Sequence, residues 1–120
     1  MAYRKKGREF VRGFGYAFAG LKALFASEVN ALIHAVVAAA VIVAGVLLNL
    51  ATWEWVAVTF AMGLVLAAEA FNTAIERLCD RVTRENDDLI GETKDLAAGA
   101  VLIAVIAAVA VGLIVFLPKI

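Results

Sequence analysis

Glu69, Asn72, Glu76 and Asp80 are spaced three, four and four residues apart, directly after an uncharged run from Trp55 to Ala68. At about 100° per residue on an α-helix, they fall within an arc of roughly 80°. The row begins in a stretch apolar enough to lie in a bilayer and climbs out of it. Acids at membrane depth are costly and mark function by default. The chemistry within reach of such a face is to hold a metal and a reacting group at a membrane edge. Glu69 is deepest, with no cation in the helical turn before it. Desolvation makes a carboxylate a stronger base, which suits a general base. The plainer reading is a structural acid, paired or protonated and hydrogen bonded inside a bundle.

Other residues extend this set. Glu76, nearer the water, and Glu28, at the start of the first apolar run, can give oxygen ligands to a hard divalent ion. Mg²⁺ usually takes one or two carboxylates, with phosphates and water completing its shell. Asn72 adds a neutral donor and acceptor. Asp80 could orient a neighbour or pair with Arg77, Arg81 or Arg84. Asp95 reads as the opening residue of a helix, and Lys94 as a cation for phosphate oxygens. His34 reads first as an interior polar residue with a hydrogen-bond partner. Cys79 is the single cysteine, which leaves no disulfide framework or cysteine metal site. A base, two metal-binding acids, a lysine and a basic arm suit phosphoryl transfer from a soluble nucleotide to a membrane-embedded acceptor.

The elements that must position these groups follow from composition. Of the 120 residues 64% are hydrophobic, and the charges gather in 3–28 and 69–95, which excludes a soluble protein. The zero net charge conceals that asymmetry. The spacing predicts one all-α membrane domain over 1–120, with a surface helix at about 9–26 and spans at about 29–48, 54–76 and 96–117. In the surface helix Phe10, Phe14, Phe18, Leu21 and Phe25 form one stripe, and Arg12 and Lys22 lie off it. Gly13, Gly15 and Gly20 weaken that helix by roughly 1 kcal/mol each and suit close packing; they do not form a phosphate loop. The basic stretch Met1 to Lys22 does not read as a signal peptide. Ser27 suits an N-cap, with Glu28 in the first turn after it. Trp53, Glu54 and Trp55 form an interfacial anchor after a short loop, the second helix runs on to about Val82, and Thr83 to Thr93 reads as a polar loop. Pro118 ends the third span.

Six cations precede the first span, four lie between Arg77 and Lys94, and none lies in the Asn49–Trp55 loop. This places the N-terminus and the 77–95 segment in the cytoplasm. Three Ala- and Gly-rich spans make a thin bundle that suits a homo-oligomer.

The stretch Glu69-Ala70-Phe71-Asn72-Thr73-Ala74-Ile75-Glu76, followed by Asp80 and by Lys94-Asp95-Leu96-Ala97-Ala98-Gly99-Ala100-Val101-Leu102, closely resembles the small bacterial diacylglycerol kinase/undecaprenol kinase family. The likeness continues upstream through Gly15-Tyr16-Ala17-Phe18-Ala19-Gly20-Leu21-Lys22 and Glu28. It implies a homotrimer with composite sites between subunits, in a bacterial cytoplasmic membrane with the active site on the cytoplasmic side. It implies transfer from MgATP to a lipid hydroxyl and no nucleic-acid partner. By position Glu69 matches the general base, Glu28 and Glu76 the metal ligands, and Asn72, Lys94 and Asp95 the nucleotide and catalytic site. Arg12 and Tyr16 look like elements flanking the nucleotide. His34 stands where the diacylglycerol-using branch has an acid, and with the ending Phe116-Leu117-Pro118-Lys119-Ile120 it leans towards undecaprenol. The 84–88 loop lacks a Tyr-His pair frequent in the family. The rivals are a proton-coupled transporter using Glu69 and a noncatalytic membrane subunit, neither of which needs a staircase of acids.

Overall fold

The computed structural model describes residues 2–120 as four helices: α1 (Ala2–Ser27), α2 (Val29–Leu47), α3 (Thr52–Val82) and α4 (Asp88–Phe116). A short 3₁₀ turn, Leu117–Lys119, follows α4, and there is no strand among the described residues. α2, α3 and α4 are each long and apolar enough to cross a membrane. The 19 residues of α2 span about 28 Å, close to the hydrocarbon thickness. The 31 residues of α3 span about 46 Å, so α3 outruns the bilayer by some ten residues. Apart from Glu54 in its first turn, the charged residues of α3 lie at its far end, from Glu69 to Arg81.

Three boundaries differ from the sequence reading. α1 begins ahead of Glu9, at Ala2. Ser27 does not cap α2 but is the last residue of α1; Glu28 alone breaks the helix, with φ −115° and ψ 113°. Its amide still bonds the Leu24 carbonyl at 2.9 Å, so the turn between the helices costs one residue. The polar segment from Thr83 to Thr93 is a loop only as far as Asp87. The Asp87 carboxylate accepts from the amides of Leu89 and Ile90, both at 3.0 Å, and this cap starts α4 ahead of Asp95.

α1 is exposed from Lys6 to Ala23 and, among the described residues, meets the rest of the chain towards its end, where Leu24 is buried. Phe10 and Phe14 pack edge to face on its apolar stripe, 5.3 Å apart. A helix with an aromatic face uncovered by its own chain suits a membrane surface.

At the Trp53 end the chain turns tightly. Asn49 takes φ 53°, and the amides of Leu50 and Asn49 reach back to the carbonyls of Gly45 (3.1 Å) and Val46 (3.4 Å). This is a Schellman ending, in which Asn serves the left-handed position usually given to Gly. Gly45 admits the turn: a Cβ there would meet the Trp55 ring at 2.7 Å and Leu50 at 2.9 Å. Glu54 accepts from the Ala51 amide at 2.9 Å and from Lys119 at 3.0 Å, tying the start of α3 to the chain end. Leu50, Val58 and Val115 form the core beneath, packed by Trp55 and Phe116.

α3 packs along α4 and also against α2, while the backbones of α2 and α4 stay apart among the described residues. The result is a slab of 48 × 48 × 22 Å. Its accessible surface is 9052 Å², against about 6,200 Å² for a closed globule of this mass. Gly45→Ala should lower stability by about 1–3 kcal/mol through overpacking against Trp55, read by unfolding in detergent. Gly91→Ala, with open space around it, should leave stability unchanged or raise it.

Candidate active site

The charged end of α3 presents the acidic face as a gradient of burial. Glu69 is 5% exposed, next to a buried Thr73, while the Asp80 side chain, three turns on, is 44% exposed. Glu76 and Asn72 lie between, both half-buried. Glu69 Oε1 faces His34 Nε2 of α2 at 3.6 Å, too far for a hydrogen bond but near enough to become one. Asn72 Nδ2 donates to Glu76 Oε1 at 3.4 Å. Asn72 Oδ1 is buried and has no partner. Buried polar atoms are nearly always satisfied, so beside the Glu76 carboxylate this oxygen is an acceptor suited to a cation or a donor.

Asp80 does not pair with an arginine of its own helix. Lys94 Nζ donates to Asp80 Oδ1 at 2.6 Å, closing the α3–α4 hairpin across the loop. That hydrogen bond holds the Asp80 carboxyl below its ordinary range, with Lys94 and Arg84 adding attraction. The same bond raises the Lys94 amine, helped by the negative charge of Asp80 and by Cys79 and Glu76 nearby. Lys94 therefore stands beside the acidic face, fully charged, with one oxygen partner already in hand.

The remaining candidates are more scattered. Glu28 is half-buried at the α1–α2 break. Ser27 beside it donates to the Ala23 carbonyl and accepts from Arg77 of α3, which pins the end of α1 against the acidic helix. Asp95 is exposed two turns inside α4, with Asp87 as the actual cap, so it does not open that helix. Arg12 and Tyr16 lie on the exposed part of α1. Cys79 is buried and free. No three metal-ligating side chains gather among the described residues. A site of one or two carboxylates and an amide oxygen, all hard donors, still fits Mg²⁺, whose shell is completed by phosphate and water.

Both hydrogen-bonded ties at the charged end escaped the sequence reading. Asp80 and Lys94 are equidistant from Asp87, and a helical hairpin closed at that residue makes them neighbours; recognising Asp87 as the cap would have found the pair. The Ser27–Arg77 bond is 50 residues long-range and leaves no local signal.

An acidic helix face rising from an apolar segment towards a charged lysine is an arrangement suited to phosphate chemistry at a membrane edge. A family model described as prokaryotic diacylglycerol kinase matches residues 15–116. The chain belongs to that family of lipid kinases and is a bacterial membrane protein. It is similar to an undecaprenol kinase of Bacillus subtilis (strain 168), 34% identical over 117 residues, 98% of this chain and 95% of that one. A diacylglycerol kinase of Synechocystis sp. is 42% identical over 106 residues, 88% of this chain, which spans 61% of that relative's length. The diacylglycerol kinase of Escherichia coli (strain K12) is 32% identical over 99 residues, 82% of this chain and 81% of that one.

The Asp80–Lys94 pair sets a pH window. Asp80, with a lowered pKa, adds stability that is present above its ordinary value near about 4 and fades as pH falls through the lowered one. Lys94, with a raised pKa, adds stability that is present below about 10.4 and fades as pH rises through the raised one. The clasp is thus intact across the whole physiological range. Asp80→Asn should bring the Lys94 titration down towards the ordinary lysine value, followed by NMR of the amine in micelles; an unmoved midpoint would contradict the pairing.

Proposed function

We propose that this protein transfers the γ-phosphoryl group of ATP directly to the hydroxyl of a membrane lipid, with undecaprenol slightly favoured over diacylglycerol. The observation that carries the reading is the burial gradient along α3. A nearly dry carboxylate at Glu69 stands one to two turns from the half-buried Asn72–Glu76 pair and three from Asp80 of the Asp80–Lys94 clasp. One end of that face suits an acceptor that stays in lipid, and the other suits a nucleotide that arrives from water. The name of the Bacillus subtilis relative, which is matched over nearly its full length, supports undecaprenol. The Synechocystis and Escherichia coli names keep diacylglycerol in view.

In this mechanism Glu69 accepts the hydroxyl proton as the lipid oxygen attacks the γ-phosphorus in line, and ADP leaves with the electrons of the broken P–O bond. Lys94 turns from Asp80 to the phosphate oxygens and offsets their charge. Asn72 offers its unpartnered oxygen and its amide to the same region, while Asp95, Arg12 and Tyr16 flank the nucleotide. Glu28 and Glu76 would hold Mg²⁺, which supplies charge neutralisation on the phosphates when bound. The catalytic end lies on the cytoplasmic side, where the cations gather.

The working form is a homotrimer with sites shared between subunits. Two features support this: the excess surface of the single slab, and the distribution of candidate residues over an exposed α1 and an acidic α3 that do not close one site in one chain.

Detergent-solubilised protein given radiolabelled ATP with undecaprenol and, separately, diacylglycerol tests the reading. Labelled lipid is expected from both, with undecaprenol the faster. No labelled lipid from either would contradict the kinase reading, and a clear preference for diacylglycerol would overturn the choice of lipid.

A further inference from the structure

The Glu69 carboxylate is buried, and the one basic side chain within 4 Å of it among the described residues is His34 of α2, whose Nε2 stands 3.6 Å from Oε1. The imidazole is about three-quarters buried, with a 24% exposed side chain. It also lines an apolar cavity of about 270 Å³ between α2, α3 and α4, whose walls include Val65, Ala108 and Phe116. Among the described residues, His34 is the only titratable one on that wall. It therefore stands between the buried acid and the lipid-depth cavity.

We propose that His34 is the positioning residue for Glu69, an inference that rests on the kinase reading above. With its proton on Nε2, the imidazole donates to Oε1 and fixes the carboxylate rotamer. Oε2 is then left to take the proton of the acceptor hydroxyl. Contacts of this kind are often long before substrate binds and tighten in the loaded site. A freely turning carboxylate would present the wrong oxygen, or the wrong angle, for part of the time, and sub-ångström placement matters at a reacting centre. His34 itself takes no proton from substrate and forms no bond to phosphorus.

The test is steady-state kinetics of full-length wild type, His34→Ala and His34→Gln in the same micelles. His34→Ala should lower kcat about ten- to a hundredfold with KM for ATP unchanged. Added imidazole, which the emptied site and its neighbouring cavity can admit, should recover part of kcat. His34→Gln, which retains a donor and most of the volume, should recover more than the alanine variant does. A merely structural role would give a fall that neither imidazole nor Gln repairs, or a parallel rise in both KM values, and either result would overturn the proposal. So would an unchanged kcat in His34→Ala. If wild type labels no lipid at all, the kinase reading fails first; an active wild type with an indifferent His34 fails this inference alone.

Discussion

A carboxylate carried at lipid depth is the constraint on which the rest of this protein depends. A charged side chain such as Asp costs about 2.5–3.5 kcal/mol at the very centre of a membrane helix even on lenient scales, and less towards its edge. Glu69 lessens that cost by turning towards α2, where it is 5% exposed and faces a histidine. α3 is also the central helix of the slab, packed against both α2 and α4. The remaining polar residues of that face follow it outward to where water can share the cost. Geometry and chemistry have a common origin here: one helix is long enough to begin in lipid and end in solvent.

The two ends of the molecule are built for different work. At the Trp53 end, the Schellman turn, the glycine beneath Trp55 and the Glu54–Lys119 pair lock three segments around Leu50, Val58 and Val115. At the charged end the ties are single and polar: Ser27 to Arg77, and Lys94 to Asp80. Polar ties at an exposed rim exchange easily for ligand oxygens, whereas a packed turn does not. Rigidity is concentrated where nothing needs to move, and the lysine that would meet phosphate is held by a bond that phosphate can replace.

Much of this was legible in the residue order. The four-residue acidic spacing, the apolar run before it and the clustering of cations were enough to predict an all-α membrane protein with a surface helix and three spans, because periodicity and hydropathy are local. The motif around Glu69 and Lys94 was enough to point to the kinase family. What failed was chemistry decided by one residue at a helix end. Ser27 has the side chain of a cap, but its hydroxyl is engaged by Ala23 and Arg77. Asp87, in a run of acids with equal claims, is the one whose carboxylate reaches two amides. That choice shortened the loop, moved Asp95 inside α4 and brought Lys94 to Asp80. The approach of His34 to Glu69 was not legible, since it depends on how two helices far apart in sequence lie against each other.

The most direct test of the central claim, that Glu69 is the base at the lipid end of the site, is to measure turnover and ATP affinity together in Glu69→Gln. The amide retains the shape and removes the basic oxygen, so turnover should fall by about 10²–10⁴-fold while calorimetry finds nucleotide binding within about twofold of wild type, since Glu69 is not among the groups assigned to the phosphates. Near-normal turnover in that variant would contradict the account.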